Sequence, residues 1–446
     1  MRKSLLILLT LLSVVGCMRP VDTPRPTPQP GDSAEMVLVA YFMGESNLIS
    51  DLRRNITQME AAVAAGALSD KGRILVFLDS NIDGCIYELF EKDGGCERRM
   101  IKNYHTIDSA DPEVMCSIMN DIKALAPSNH YGLVLGGHGS GWVRKSLLLD
   151  DMNVYGSDWT KRMMSNGSDE VEHQGLWDKY YLPGEWKTRK FGPDVNRWMD
   201  IPELTLGIRA LQPDFVLFDA CSMASVEALW DMRDATRYVI ASAAEVMIEG
   251  FPYKPITELL FEDWENLSAV CEEYISTYLE NKNMPNATVA LVDMSKLDGV
   301  GEAVSKVLSS ARSVDKSWLS NVDSLQYYEG IANHVFYDLG DCMTRLATDS
   351  VALAEFEQAM DLAVVWEGHT PNGYSDYNRS EYPIKRSSGL SVYISRTNFP
   401  KFAAEYAKTE WAKNVGVIQS IHHRYYPPCH NPNAYTKSCD HTNRPI

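Results

Sequence analysis

The chain is poor in positive charge, and it has no internal repeat. Its 42 Lys and Arg face 60 Asp and Glu, a formal balance of −18. Such an excess of negative charge repels nucleic-acid backbones, which excludes a general DNA- or RNA-binding role. It weakly favours cationic substrates. Beyond the N-terminus no apolar run reaches the roughly eighteen residues needed to span a bilayer, so no transmembrane helix is expected. The signature of wholesale disorder is missing too. Aromatic residues make up 10% of the 446 positions and ten of them are Trp, which suits a large packed core. The length fits either two to three domains of about 150 residues or one elaborated α/β domain.

The N-terminus assigns a compartment. Met1-Arg2-Lys3 is basic, and Ser4 to Val15 is apolar but too short for a permanent span. This order reads as a secretory signal. Val14-Val15-Gly16-Cys17 resembles the lipobox of bacterial lipoproteins. The resemblance implies removal of residues 1–16, lipidation of Cys17 and a place in the cell envelope, attached to the membrane through lipid. Losing Arg2 and Lys3 takes the charge from −18 to −20. Residues 17–34 carry Pro20, Pro24, Pro26, Pro28 and Pro30, an extended tether with no core of its own.

The remaining cysteines sort by surroundings. Cys85 and Cys96 flank IYELFEKDGG, a hairpin signal with a Gly-Gly turn, and in an oxidising compartment they are expected to pair. Cys429 and Cys439 bracket a Pro/Asn-rich tail and are expected to do likewise. The tail also holds His422, His423, His430 and His441, but the spacing matches no regular zinc pattern, so no metal site is assigned. Cys116, Cys271 and Cys342 lie in apolar, helix-like surroundings and read as buried thiols.

Six short apolar runs read as buried strands: Met36 to Phe42, Arg73 to Leu78, Tyr131 to Leu135, Phe215 to Phe218, Tyr238 to Ala241 and Ala287 to Val292. Helical spacing separates many of them, as in Asn47–Ala65 and Asp111–Leu125. Alternation of this kind predicts an α/β fold, a mostly parallel sheet covered on both faces. Residues 35–300 are assigned to this unit. Within it the pattern lapses over residues 143–200, an insertion or processing loop carrying the basic sites Lys161-Arg162 and Lys187 to Lys190, the latter with Arg189. Residues 301–446 read as a helical C-terminal part, with one strand near 389–394 rejoining the sheet.

Two strand ends carry chemistry. YGLVL runs into Gly136-Gly137-His138-Gly139-Ser140-Gly141-Trp142, and FVLF runs into Asp219-Ala220-Cys221-Ser222-Met223. Ligands in open α/β sheets bind beyond the carboxyl ends of strands. A Cys beside a His becomes a nucleophile near neutral pH. The N–H groups of Gly139 and Cys221 are placed to form an oxyanion hole.

HGSGW and DACSMASVEALW resemble the two catalytic motifs of the clostripain-like cysteine peptidases, relatives of caspases, legumains and gingipains. MVLVAYFMGESNL, YVIASAAEVMIEGFPY, YDLGD and GLSVYI are similar to further stretches of that family, so the likeness covers about residues 35–395. It implies a caspase-like three-layer α/β/α sandwich and an endopeptidase acting on peptides or proteins through a thioacyl enzyme. His138 is then the base or ion-pair partner, Cys221 the nucleophile, and Asp219 the acidic residue of an S1 pocket for Arg or Lys. Self-cleavage between the His and Cys motifs is also implied, at Lys161, Arg162, Lys187, Arg189 or Lys190. Some relatives require calcium, and the resemblance leaves that requirement open. Glu249-Gly250-Phe251-Pro252-Tyr253 and Ser222 depart from the family pattern and leave the P1 preference open. Two rivals stand beside this reading: a binding module that keeps the fold without catalysis, and a transpeptidase using the same dyad.

Overall fold

In the computed structural model the structure describes residues 27–420, apart from 45, 69–71, 81, 145–146, 148–186, 188–198, 263–266, 312–323, 331–333 and 397–399. The signal, Cys17, Lys161, Arg162, Arg189, Lys190, Cys429 and Cys439 lie outside the described residues.

The apolar runs form the middle of a nine-stranded sheet. Its parallel core comprises β1 (Met36–Met43), β2 (Gly72–Asp79), β5 (His130–Gly136), β6 (Phe215–Asp219) and β7 (Tyr238–Ala241). The Gly-Gly signal is a hairpin, β3 (Gly84–Lys92) and β4 (Gly95–Asn103), which extends one edge antiparallel to β2. At the other edge β8 (Thr288–Asp293) and β10 (Val364–His369) add two antiparallel strands.

Alternate residues of each core strand face opposite layers, as a period of two requires. Val37, Val39 and Tyr41 pack with α2 (Pro112–Leu125), α3 (Ile201–Leu211), α4 (Val226–Met232) and α7 (Leu297–Ser310). Leu38, Ala40 and Phe42 pack with α1 (Ile49–Ala64), α5 (Tyr253–Glu262) and α6 (Ser268–Glu280). The result is the three-layer sandwich. Helix starts are set by side chains: Asp111 accepts from the N–H groups of Glu113 and Val114, and Asp200 with Glu203 forms a capping box. Ser225 caps α4, so Asp219 at the end of β6 is not that helix's cap.

Two expectations are corrected. Cys85 stands opposite Asn103 and Cys96 opposite Glu91, at opposite ends of the β3–β4 ladder, and both are free thiols. A disulfide needs Cα atoms within about 7 Å, which this register forbids. Nor does the 389–394 run rejoin the main sheet. Ser391–Val392 pairs with β9 (Tyr337–Asp338) in a separate two-stranded ladder, and the returning strand is β10. β10 reads as a weak strand because only alternate residues are shielded.

The late segments close over the face bearing α4. Trp142 lies 4.6 Å from Tyr393 and 4.9 Å from Tyr406, ring centre to ring centre. Glu227, buried on α4, accepts from the Tyr393 N–H (2.8 Å) and the Tyr406 hydroxyl (3.1 Å). Burial pushes its carboxyl from 4.5 up to about 7. Asp231, one turn on, is pushed up to about 6, chiefly by burial and also by Glu410. A carboxyl whose pKa is raised by folding stabilises the fold fully below its ordinary pKa, and that contribution fades as pH rises through the folded value. Glu227→Gln retains the uncharged shape. Its Tm relative to wild type should therefore climb between about pH 5 and about pH 8. Thermal unfolding followed by circular dichroism checks this, and a difference that stays flat across that range contradicts it.

Candidate active site

Sheet register brings the site together. Gly136 at the end of β5 pairs with Phe42 of β1 on one side and Asp219 of β6 on the other. The carboxyl ends of three adjacent strands are thus level. Asn47, His138 and Cys221 follow these ends by a few residues each, so all three arrive at one edge of the sheet.

The loop after β6 turns sharply. Ser222 has φ of 58°, a left-handed conformation uncommon for a residue with a side chain. Its N–H donates to the Ala244 carbonyl, and the Ala224 N–H donates to that of Ser242. These bonds stitch the loop to the segment after β7 and hold Cys221 at the turn. The Cys221 sulfur is buried, accepts the Val246 N–H at 3.2 Å and lies 3.8 Å from the Val246 carbonyl oxygen.

The loop after β5 meets it directly. A methyl carbon built on Gly139 would stand 2.3 Å from the Cys221 carbonyl oxygen and 2.8 Å from its nitrogen. Only glycine permits this approach, which places the two main chains side by side. His138 is half-buried, and its Nε2 lies 2.8 Å from Asn47 Oδ1. The amide oxygen is an acceptor, so Nε2 carries the proton of this bond. Sequence reasoning missed Asn47 as the residue that orients the imidazole. Its only signal was its place in the Asn-Leu turn after β1.

Asp219 is fully buried at the end of β6, with Oδ2 accepting the Tyr253 hydroxyl at 2.7 Å. Tyr253 belongs to the GFPY stretch, so two sequence signals far apart in the chain meet here. Phe251 stacks on Tyr274 at 4.1 Å between ring centres, filling its place with an aromatic ring. A cavity of about 680 Å³ opens beside His138, walled by Asn47, Asp108, Asp200, Glu227 and Asp231 among others; Cys221 is not on its wall.

Of the basic loop residues, Lys187 is described. Its carbonyl oxygen accepts the Ile248 N–H at 2.7 Å, and its own N–H donates to Asp376 Oδ2 at 2.6 Å. Ile248 is two residues beyond Val246, the contact of Cys221. Among the described residues no group of three or more His, Cys, Asp or Glu is arranged to hold a metal.

Gly139→Ala tests the close approach. The added methyl must push two main chains apart, an overpacking cost of roughly 1–3 kcal/mol. A lower Tm and a changed rate of Cys221 alkylation by iodoacetamide are expected, and wild-type values for both would show that the loops are not in contact.

The chain matches the model of the clostripain family over residues 171–415. Its fold resembles a secreted C11 cysteine protease from Bacteroides thetaiotaomicron, with a TM-score of 0.70, 25% identity, and 86% of this chain and 100% of that one covered. An inactive zymogen C11 protease from Parabacteroides distasonis gives 0.68 at 23% identity, covering 88% and 100%. A B. thetaiotaomicron C11 protease in complex with an irreversible peptide inhibitor gives 0.69 at 21%, covering 86% and 99%. No curated protein matches by sequence. The level strand ends, the apposed His and Cys loops and the matched family model agree: the chain belongs to the clostripain family of cysteine peptidases and has its caspase-like fold.

Proposed function

We propose that the protein is an endopeptidase in which Cys221 and His138 act as a dyad on peptide bonds after Arg or Lys. The observation that carries this reading is the contact of the Gly139 and Cys221 main chains, which puts the two loops within reach of one carbonyl group. His138 takes the thiol proton at Nδ1, and the Cys221 thiolate attacks the carbonyl carbon. The oxygen gains negative charge facing the N–H groups of Gly139 and Cys221. The imidazolium then gives its proton to the leaving amine, and the thioacyl enzyme remains. Water, deprotonated by the same imidazole, releases the acid and restores the thiol. Asn47 keeps the ring in the tautomer this sequence needs.

Asp219 is the basis for a preference for basic residues. A buried carboxylate is costly unless a cation reaches it, and a guanidinium pairs with it well. With fluorogenic Arg, Lys and Asp peptides, wild type should favour the first two. Cys221→Ala and His138→Ala should each abolish turnover, and Asp219→Asn should cost Arg substrates on the order of 2–4 kcal/mol of transition-state binding. Full activity in either dyad variant, or an unchanged Arg-to-neutral ratio in Asp219→Asn, would refute the corresponding assignment.

Self-processing fits the same site. Lys187 already bonds to the segment that carries Val246, which supports a cut among Lys187, Arg189 and Lys190 rather than at Lys161 or Arg162. A relative described as an inactive zymogen is in keeping with this. On a denaturing gel, wild type should run as two fragments and Cys221→Ala as one; a single band in both, with wild type active on peptides, would exclude processing.

The Cys17 lipobox supports attachment to the cell envelope, and a similar protease is described as secreted. Among the described residues no helix is long and apolar enough to cross a membrane. Cys17→Ser should move the protein from the membrane fraction to the soluble one. Retention on membranes after a high-salt wash would argue against lipidation.

A further inference from the structure

Lys187 occupies a place built for a peptide residue. Its main chain is held at both polar groups, the carbonyl by Ile248 and the N–H by Asp376. Its ammonium lies 5.2 Å from the centre of the Tyr374 ring and forms no ion pair with a described residue. Asp376 is itself fixed. Glu245 accepts the Asp376 N–H at 3.1 Å with one oxygen and the Ser375 hydroxyl with the other. Tyr374, Ser375 and Asp376 are all buried, as is Glu245. The two carboxylates make the surroundings negative, and burial with Asp376 nearby pushes the Tyr374 phenol up to about 12, so it stays neutral and electron-rich. A neutral aromatic face beside buried carboxylates attracts a cation.

The same contacts locate this place relative to the nucleophile. An extended peptide advances about 3.3 Å per residue, so a residue on Ile248 stands about two residues from one on Val246, which touches Cys221. Asp219 makes a different contact: it is fully buried and bonds to Tyr253, whereas the exposed Lys187 sets its ammonium over Tyr374.

We propose that Tyr374, Asp376 and the Ile248 N–H form a second basic-residue subsite, separate from Asp219, which takes a Lys or Arg side chain two residues upstream of the cleaved residue. Lys187 holds this subsite in the uncut chain, and a substrate takes its place. The preferred substrates are then peptides with two basic residues flanking one intervening residue. This inference rests on the reading of Cys221 as nucleophile.

The test uses mature enzyme and fluorogenic peptides X-Thr-Arg, where X is lysine, ε-acetyl-lysine or norleucine. Lysine should raise kcat/KM about two- to fivefold over both neutral analogues, the scale of an exposed cation–π contact. The ratio should fall toward one in Tyr374→Leu and persist in Tyr374→Phe. Equal rates for the three peptides in wild type, or an undiminished ratio in Tyr374→Leu, overturns the subsite. Should Tyr374→Leu fail to fold, the wild-type series and Tyr374→Phe decide alone. Turnover without a lysine preference defeats the subsite only; no turnover of any peptide defeats the endopeptidase reading and the subsite with it.

Discussion

The pairing of β5 with β6 is the constraint on which the site depends. Parallel strands held in register end at the same height, so the residues that leave them begin their loops side by side. With Gly136 opposite Asp219, the His138 and Cys221 loops have only a few residues in which to diverge. A shift of one residue would turn every side chain to the other face and bury the Cys221 turn in the wrong layer. The apolar runs of these strands, closed to water on both faces, oppose such a slip, since each step would exchange matched packing on two layers at once.

Around that pairing, the segments far away in sequence provide the walls. Val246 and Ile248 follow β7, Tyr253 starts α5, and Tyr374 to Asp376 lie on β11 (Asn372–Ser375) and just after it. The site is therefore assembled from almost the full length of the folded body. Trp142 packing on Tyr393 and Tyr406, and Glu227 bonding to the same pair, tie the late segments to the strand ends rather than leaving them as an appended module.

Much of this was legible in the sequence for a plain reason. Continuous apolar runs are buried strands, and the residues just beyond them are where ligands bind, so β1, β2, β5, β6, β7, β8, His138 and Cys221 could be placed from local pattern. What local pattern cannot carry is partnership across the chain. Asn47 looks like any polar turn residue until its amide meets His138, 91 positions away. Asp376 sits in a polar stretch that gives no hint of Glu245, 131 positions earlier. Cys85 and Cys96 are close in sequence, yet antiparallel register sets them at opposite ends of their ladder. GLSVYI, mostly apolar, has the look of a buried strand, whereas β10, at an edge, needs shelter on one side only.

The six described cysteines are all free thiols, Cys271 and Cys342 deep in the helical layers and Cys85 within the sheet. Burial raises the pKa of Cys271 and Cys342, which keeps them protonated and slow to react. The thiols thus differ by surroundings: Cys221 sits at a turn and accepts the Val246 N–H, while Cys271 and Cys342 lie in apolar helical packing. A thiol reductant that keeps Cys221 from oxidising has no described cross-link to break. The described body can therefore hold its shape under reducing conditions, with no described disulfide to lose.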